Sequence, residues 1–183
     1  MKNKIVKYLY FIFSLTFLFE VSFADEIPMQ SGSVEVLKTR SIEDFVKENL
    51  PNSEHIIYTI VPRGLIISVA TDFLFGYAGT EIHEDAYNFL YQIGSIVKYL
   101  NKPCVVEGNA LTQSDEDELS NIELSVMRAD EIVEFLIKHN NVNPVLLRAI
   151  GFGNMLPFKD NVSYKGHMDK RIDFVILNYE SER

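Results

Sequence analysis

Beyond residue 54 the chain changes its hydrophobic rhythm several times, and each rhythm points to an element. His55 to Val61 and Leu65 to Val69 are rich in β-branched and other apolar residues, and Pro62-Arg63-Gly64 between them reads as a hairpin turn. Residues 81–100, EIHEDAYNFLYQIGSIVKYL, shift to helical spacing, with Ala86, Phe89, Leu90, Ile93, Val97 and Leu100 on one inner stripe. Pro103 stops that helix, and CVVEG after it reads as a short strand. The acidic run SDEDELS leads into a second helix that reaches about His139, where Asn140, Asn141 and Pro144 mark its end. VLLRAIGFG is next a strand, NMLPFKDNVSYKGHM a loop, and KRIDFVILNY a last strand with alternating burial. The order β-β-α-β-α-β-β calls for crossover connections. It predicts an α+β two-layer sandwich, a mixed sheet of about four or five strands with helices packed on one face. No internal repeat or low-complexity tract interrupts the order.

One residue breaks the pattern of the second helix. In SNIELSVMRADEIVEFL, Leu124, Met127, Ile132, Phe135 and Leu136 fall near one face, and Arg128 lies at the edge of that stripe. Two roles fit such a position. The stem of Arg128 can lie along the core while its head reaches water, or the guanidinium can face a cleft and bind an anion.

The N-terminus has a different character. MKNKIVKYLYFIFSLTFLFEVSFADE sets three lysines before an apolar run and ends it with Ser22-Phe23-Ala24, the order of a secretory signal with cleavage after Ala24. The run is about 12 residues, short of the ~20 that span a bilayer, and Glu20 would be costly in hydrocarbon. The alternative is an uncleaved anchor. The expected organisation is a signal peptide at 1–24, an N-terminal extension or linker at 25–54 with one short helix opening at Ser41, and a single domain at 55–183. Losing residues 1–24 takes the net charge from −9 to −11, because three lysines and one glutamate leave. So acidic a chain repels nucleic acid and anionic lipid, which argues against both as partners. Cys104 is the one cysteine and reads as a buried core residue without a disulfide.

Constellations for catalysis are missing from the sequence. The four histidines lie in separate segments, none at metal-ligand spacing, and there is no G-x-S-x-G, P-loop or G-x-G-x-x-G. GFGNMLPF holds two glycines, but they follow a strand and run into Pro157, so they read as shaping a turn. No catalytic residue, metal or cofactor is expected, and an envelope hydrolase built on dispersed carboxylates is the least favoured reading.

SNIELSVMRADEIVEFL resembles the N-x-x-L-S-x-x-R-A signature of the OmpA-like peptidoglycan-binding domain family, in the version typical of its flagellar stator (MotB) branch. RGLIISVATDFLFGYAGTEIHEDA resembles the family's opening strand and first helix. VVEG resembles the strand that ends in G-H-T-D, LLRAIGFGNMLPFKDN resembles R-x-x-x-x-G-x-G-x-x-x-P-x-x-x-N, and DKRIDFVI resembles N-R-R-V-E-x-x-I. Together these cover roughly Pro62 to Tyr179.

The resemblance implies a periplasmic domain, exported and in some cases outer-membrane associated, that binds the diaminopimelate of peptidoglycan stem peptides non-covalently and anchors an envelope assembly. It implies Arg128 as the fork for a ligand carboxylate, with Asn121 earlier on the same helix as a polar contact. It also points to Lys170 and Arg171, where the family has N-R-R. The chain departs from the family at Gly108-Asn109-Ala110-Leu111, where G-H-T-D would put an aspartate at Leu111. Asp115 or Asp117 is the expected substitute for that acid. Expected partners are peptidoglycan and envelope or secretion-complex proteins, with a homodimer as one assembly. A second reading keeps the fold as a degenerate scaffold for protein–protein contacts that no longer binds peptidoglycan.

Overall fold

Pro62 and Arg63 turn the chain between β1 (Ile56–Val61) and β2 (Gly64–Ala70), and the two strands pair antiparallel from Val61↔Gly64 to Ile56↔Val69. This is the hairpin that the apolar pattern predicts. The structure, a computed structural model, describes residues 31–50, 55–76, 79–110, 118–156 and 169–179. Val34–Arg183 groups into one unit. After β2 come a single turn of helix, α2 (Thr71–Leu74), and the long α3 (Glu84–Leu100). Then follow β3 (Cys104–Asn109), α4 (Glu118–Asn140), a 3-10 turn at Pro144–Leu146, β4 (Leu147–Gly153) and β5 (Arg171–Leu177). α3 carries Glu84 and Asp85 in its first turn and Lys98 in its last, both favourable to the helix dipole, and Asn101 ends it in the left-handed region at φ 49°.

The five strands lie in the order β1-β2-β5-β3-β4, so the last strand of the chain enters the middle of the sheet. β3 and β4 are parallel, and the other neighbours are antiparallel. Alternation sends Leu65, Ile67 and Val69 of β2, Cys104 and Val106 of β3 and Ile172, Phe174 and Ile176 of β5 into one core with Phe89, Leu90, Ile93 and Val97 of α3 and Ala129, Ile132 and Leu136 of α4. Phe89 meets Phe174 edge to face at 6.0 Å. β5 corrects one expectation: every one of its residues is buried, where alternating burial was expected. A central strand has paired neighbours on both sides, and its polar residues, described below, are satisfied by one another.

The segment before the sheet also differs from expectation. In place of a linker and a helix starting at Ser41, α1 runs through Ser31–Asn49. The hydroxyl of Ser41 donates to Lys38 O at 2.8 Å instead of capping a helix start. Only the second half of α1 supplies apolar residues, Ile42 and Val46, to the core, with Leu50 just beyond it. Its first half therefore shows no stripe that the sequence alone could reveal. Phe45 stacks on Tyr99 at 4.7 Å, and Thr39 accepts from Asn178 Nδ2 at 3.2 Å. No described helix is long and apolar enough to cross a membrane.

Cys104 is fully buried and free, as its place in an apolar strand implies. Burial, and to a lesser extent the charge of Glu107, pushes its thiol up to about 12. A thiol reagent at mildly alkaline pH should therefore label Cys104 only after denaturation. Fast labelling of the native protein would count against this packing.

Candidate ligand-binding site at the end of the sheet

β2, β3 and β4 end, and β5 begins, at the same end of the sheet. Ala70, Arg171 and Asn109 form one cross-strand row, and Asn109 pairs onward with Gly153. Ala110 N donates to Gly153 O at 2.9 Å, and Thr71 N to Lys170 O at 2.9 Å. The segments that follow β2, β3 and β4 all leave from here.

α4 reaches this end because two glycines let it lie against the strands. A Cβ on Gly108 would stand 2.1 Å from Ser125 O, and one on Gly151 would stand 2.5 Å from Ser125 Oγ, Val126 N and Val126 Cγ2. Ser125 ties the contact together: its hydroxyl donates to Ile122 O at 2.8 Å and accepts from Gly153 N at 3.0 Å. The role of this serine was not evident from composition or periodicity, although it is the serine of the L-S signature. The sequence pattern predicts a turn former at Gly151, and in the structure it is a point of close helix approach. Gly153, at φ +55°, does shape a turn.

This packing rotates α4 away from the expected orientation. Met127, placed on the inner stripe, is 56 % exposed, whereas Arg128, placed at the stripe's edge, is only 5 % exposed. Asn121, Ser125, Arg128, Ala129, Ile132 and Leu136 form the inward side. The small polar residues face the glycines, and a helix that close to the sheet turns Met127 outward.

Arg128 Nε donates to Gly79 O at 2.9 Å, and its guanidinium carbon lies 5.4 Å from the centre of the Phe75 ring. Phe75 is pinned in turn: it bridges to Ile82, and its N donates to Thr71 O at 2.8 Å. The base of the loop after β2 thus orients the arginine. Burial lowers the pKa of Arg128, the cation being the disfavoured form there. Among the described residues no carboxylate forms an ion pair with it. A guanidinium with one edge anchored and no acid beside it among the described residues has the planar fork that matches a carboxylate.

The other expected site residues are distributed differently. Asn121 is buried on the inward side of α4, about two turns before Arg128. Lys170 is exposed. Arg171 is buried and bonded to Asp173 through Nε, at 2.9 and 3.1 Å, and its Nη1 donates to Leu156 O at 3.1 Å. Asn109 Nδ2 adds a donor to Asp173 at 3.1 Å, and Ser68 bonds to it as well. Burial raises the pKa of Asp173, while Arg171, Ser68 and Asn109 oppose that shift. Alternation places Arg171 and Asp173 on the face of β5 away from the helices. The structure thus brings Asn121 and Arg128 onto one helix face and ties Arg171 into a separate buried cluster. Leu111, Asp115 and Asp117 lie outside the described residues. On the same face as Asp173, Glu107 is buried and accepts from Arg63 Nη2 of the hairpin turn at 3.1 Å.

The pattern of the OmpA family matches residues 74–171, more than half of the chain. The chain belongs to the OmpA family. No curated protein sequence matches it. Among solved structures, the periplasmic domain of Helicobacter pylori MotB is 23 % identical, with a TM-score of 0.57 over 67 % of this chain and 81 % of that one. A MotB-like protein of Desulfovibrio vulgaris is 16 % identical, with a TM-score of 0.64 over 83 % and 96 %. The cell wall anchor of the type VI secretion system of Pseudomonas aeruginosa is 17 % identical, with a TM-score of 0.57 over 78 % and 98 %. At these identities the likeness is one of fold. This OmpA family chain shares with them an open mixed sheet with helices packed on it, and its family is one of structural rather than enzymatic proteins.

Proposed function

We propose that this OmpA family chain anchors an envelope assembly to the cell wall by holding a stem-peptide carboxylate of peptidoglycan, that of diaminopimelate, against Arg128. The observation that carries the reading is the buried guanidinium, fixed by Gly79 O and Phe75 and without an acid among the described residues. The similarity in fold to a flagellar stator domain and to a secretion-system cell wall anchor supports it. Asn121, on the same inward side of α4, is the proposed further polar contact. Asp115 or Asp117 is the proposed acid for the ligand ammonium, exposed Lys170 is a proposed further cation for the ligand, and Arg171, buried and bonded to Asp173, would hold that end of the sheet. Export through a signal peptide cleaved after Ala24 would deliver the mature protein to the periplasm, with the outer membrane as a further point of attachment. Envelope or secretion-complex proteins, and a second copy of the chain, are its proposed protein partners.

The alternative reading is a scaffold that no longer binds the wall, and one observation favours it: leucine stands at 111, where the family has aspartate. Leu111→Asp separates the two readings. The protein should co-sediment with purified peptidoglycan, and Leu111→Asp should tighten that binding by roughly ten- to a hundredfold, the worth of one charged hydrogen bond of ~1.5–3 kcal/mol. If Asp115 or Asp117 already meets the ammonium, Leu111→Asp gains little, and alanine at the acid responsible weakens binding. No co-sedimentation of either wild type or Leu111→Asp leaves the scaffold reading.

A further inference from the structure

On the face of the sheet away from the helices, charge is buried where the central strands meet. Glu107 of β3 and Asp173 of β5 are directly opposite cross-strand partners. Their side chains are only 3 and 6 % exposed. Arg171, which pairs with Asp173, is as deeply buried at 7 %. Arg63, which pairs with Glu107, is 49 % exposed, so its charge is largely screened by water. Among the described residues the buried part of the cluster therefore holds two anions and one cation. Ser68, opposite Asp173 on β2, and Asn109 of β3 also face Asp173, and neither carries a charge.

A buried excess of one negative charge is costly unless a cation joins it. Arg171 Nε already bonds both oxygens of Asp173, which leaves no open carboxylate edge there for a metal ion. A proton needs only an acceptor beside the carboxyl, and Asn109 supplies one. This asparagine is 1 % exposed, its Nδ2 donates to Asp173 Oδ2 at 3.1 Å, and its Oδ1 has no hydrogen-bond partner. Half a turn of the amide exchanges those two atoms.

We propose that this cluster is a pH-sensitive element: it takes one proton from water onto Asp173 as the surroundings turn mildly acidic, and Asn109 turns its amide from donor to acceptor, so that β3 and β5 stay tied in either state.

At neutral pH the carboxylate accepts from Arg171, from Ser68 and from the Asn109 amide. Once protonated, its O–H donates to the turned Asn109 Oδ1, and its other oxygen still accepts from Arg171. Burial pushes the Asp173 carboxyl above its ordinary range, against the pull of Arg171, Ser68 and Asn109. The folded state therefore holds the proton more tightly than the unfolded chain does. This contribution to stability grows as pH falls from neutrality through the raised pKa. It levels off near about 3.9, where the unfolded aspartate is protonated as well. In the periplasm proposed above, an anchor built this way keeps its sheet when the surroundings acidify. The element is independent of wall binding, because Arg128 belongs to the helix layer on the opposite face of the sheet.

Carbon-13 NMR of the wild-type protein, with Asp173 assigned through its backbone, reads the proton directly. The Asp173 carboxyl should titrate above the ordinary aspartate value of about 3.9. The side-chain NH2 signals of Asn109 should shift with the same midpoint. Glu107→Gln removes one of the two buried anions and should bring that midpoint down by roughly one unit. Thermal melts supply the stability arm. Between about pH 7 and about pH 4.5 the wild type should gain a few degrees on Asp173→Asn, which has no proton to take up at this place. A carboxyl that stays ionised below about 3.9 would overturn the proposal, as would Asn109 signals that ignore the titration. So would an unchanged midpoint in Glu107→Gln. So would a wild type that loses ground to Asp173→Asn on acidification, the behaviour of a plain Arg171–Asp173 ion pair.

Discussion

Arg128→Lys should all but eliminate co-sedimentation with peptidoglycan while leaving the fold in place. Arg128 Nε is used by Gly79 O, so under the proposed function the ligand carboxylate would meet the remaining edge of the planar guanidinium. A lysine has a single ammonium and cannot bond the loop carbonyl and a carboxylate in that geometry. Losing a charged hydrogen bond costs ~1.5–3 kcal/mol, roughly ten- to a hundredfold in affinity. Arg128→Met sharpens the test. A buried cation without an acid among the described residues opposes folding. Methionine keeps the apolar stem over Phe75 and removes the charge, so its melting temperature should equal or exceed that of the wild type while binding is lost. Gain in stability with loss of function is the signature of a residue held for its ligand. If Arg128 serves only as packing, lysine retains binding and methionine changes nothing but the melt.

Gly108→Ala should be among the most damaging single methyls in the domain. The added carbon would meet backbone atoms on the helix side, Ser125 O at 2.1 Å and Ser125 C at 2.8 Å, and neither can rotate away. α4 has to lift from β3, which disturbs the contacts of Ser125 with Gly153 and of Arg128 with Gly79. Overpacking of this kind costs about 3 kcal/mol, or about 10 °C in melting temperature for a domain of this size. Wall binding should weaken even well below the melt, because Arg128 moves with the helix. Gly76→Ala is the control: among the described residues the nearest atom to its added carbon is His83 Cε1 at 3.9 Å, and its stability should stay within about 0.5 kcal/mol of the wild type. Equal melts for the two variants would refute the close-packing account.

Much of the fold was legible in the residues themselves. Ala86, Phe89, Leu90, Ile93 and Val97 are all buried, as their spacing implies, and the hairpin at Pro62-Arg63 and the burial of Cys104 follow from equally local patterns. Local periodicity records which face of an element turns from water, and that is a property of a dozen neighbouring residues. The family signature around Arg128 was likewise readable, because its residues lie on one continuous helix.

What only the tertiary structure decided depends on residues far apart in the chain. The insertion of β5 between β2 and β3 follows from pairing, and no local rhythm encodes which strands become neighbours. That position is also why β5 is buried along its whole length and why Asp173 accepts a hydrogen bond from Asn109 of β3, 64 residues away. The rotation of α4 that exposes Met127 and buries Arg128 comes from contact with Gly108 and Gly151, neither of them on the helix. The anchor of Arg128 at Gly79 O is 49 residues away. Hydrophobic spacing specifies a face to within an edge residue or two. Which edge residue turns inward was settled by how closely the opposing backbone allows the helix to approach.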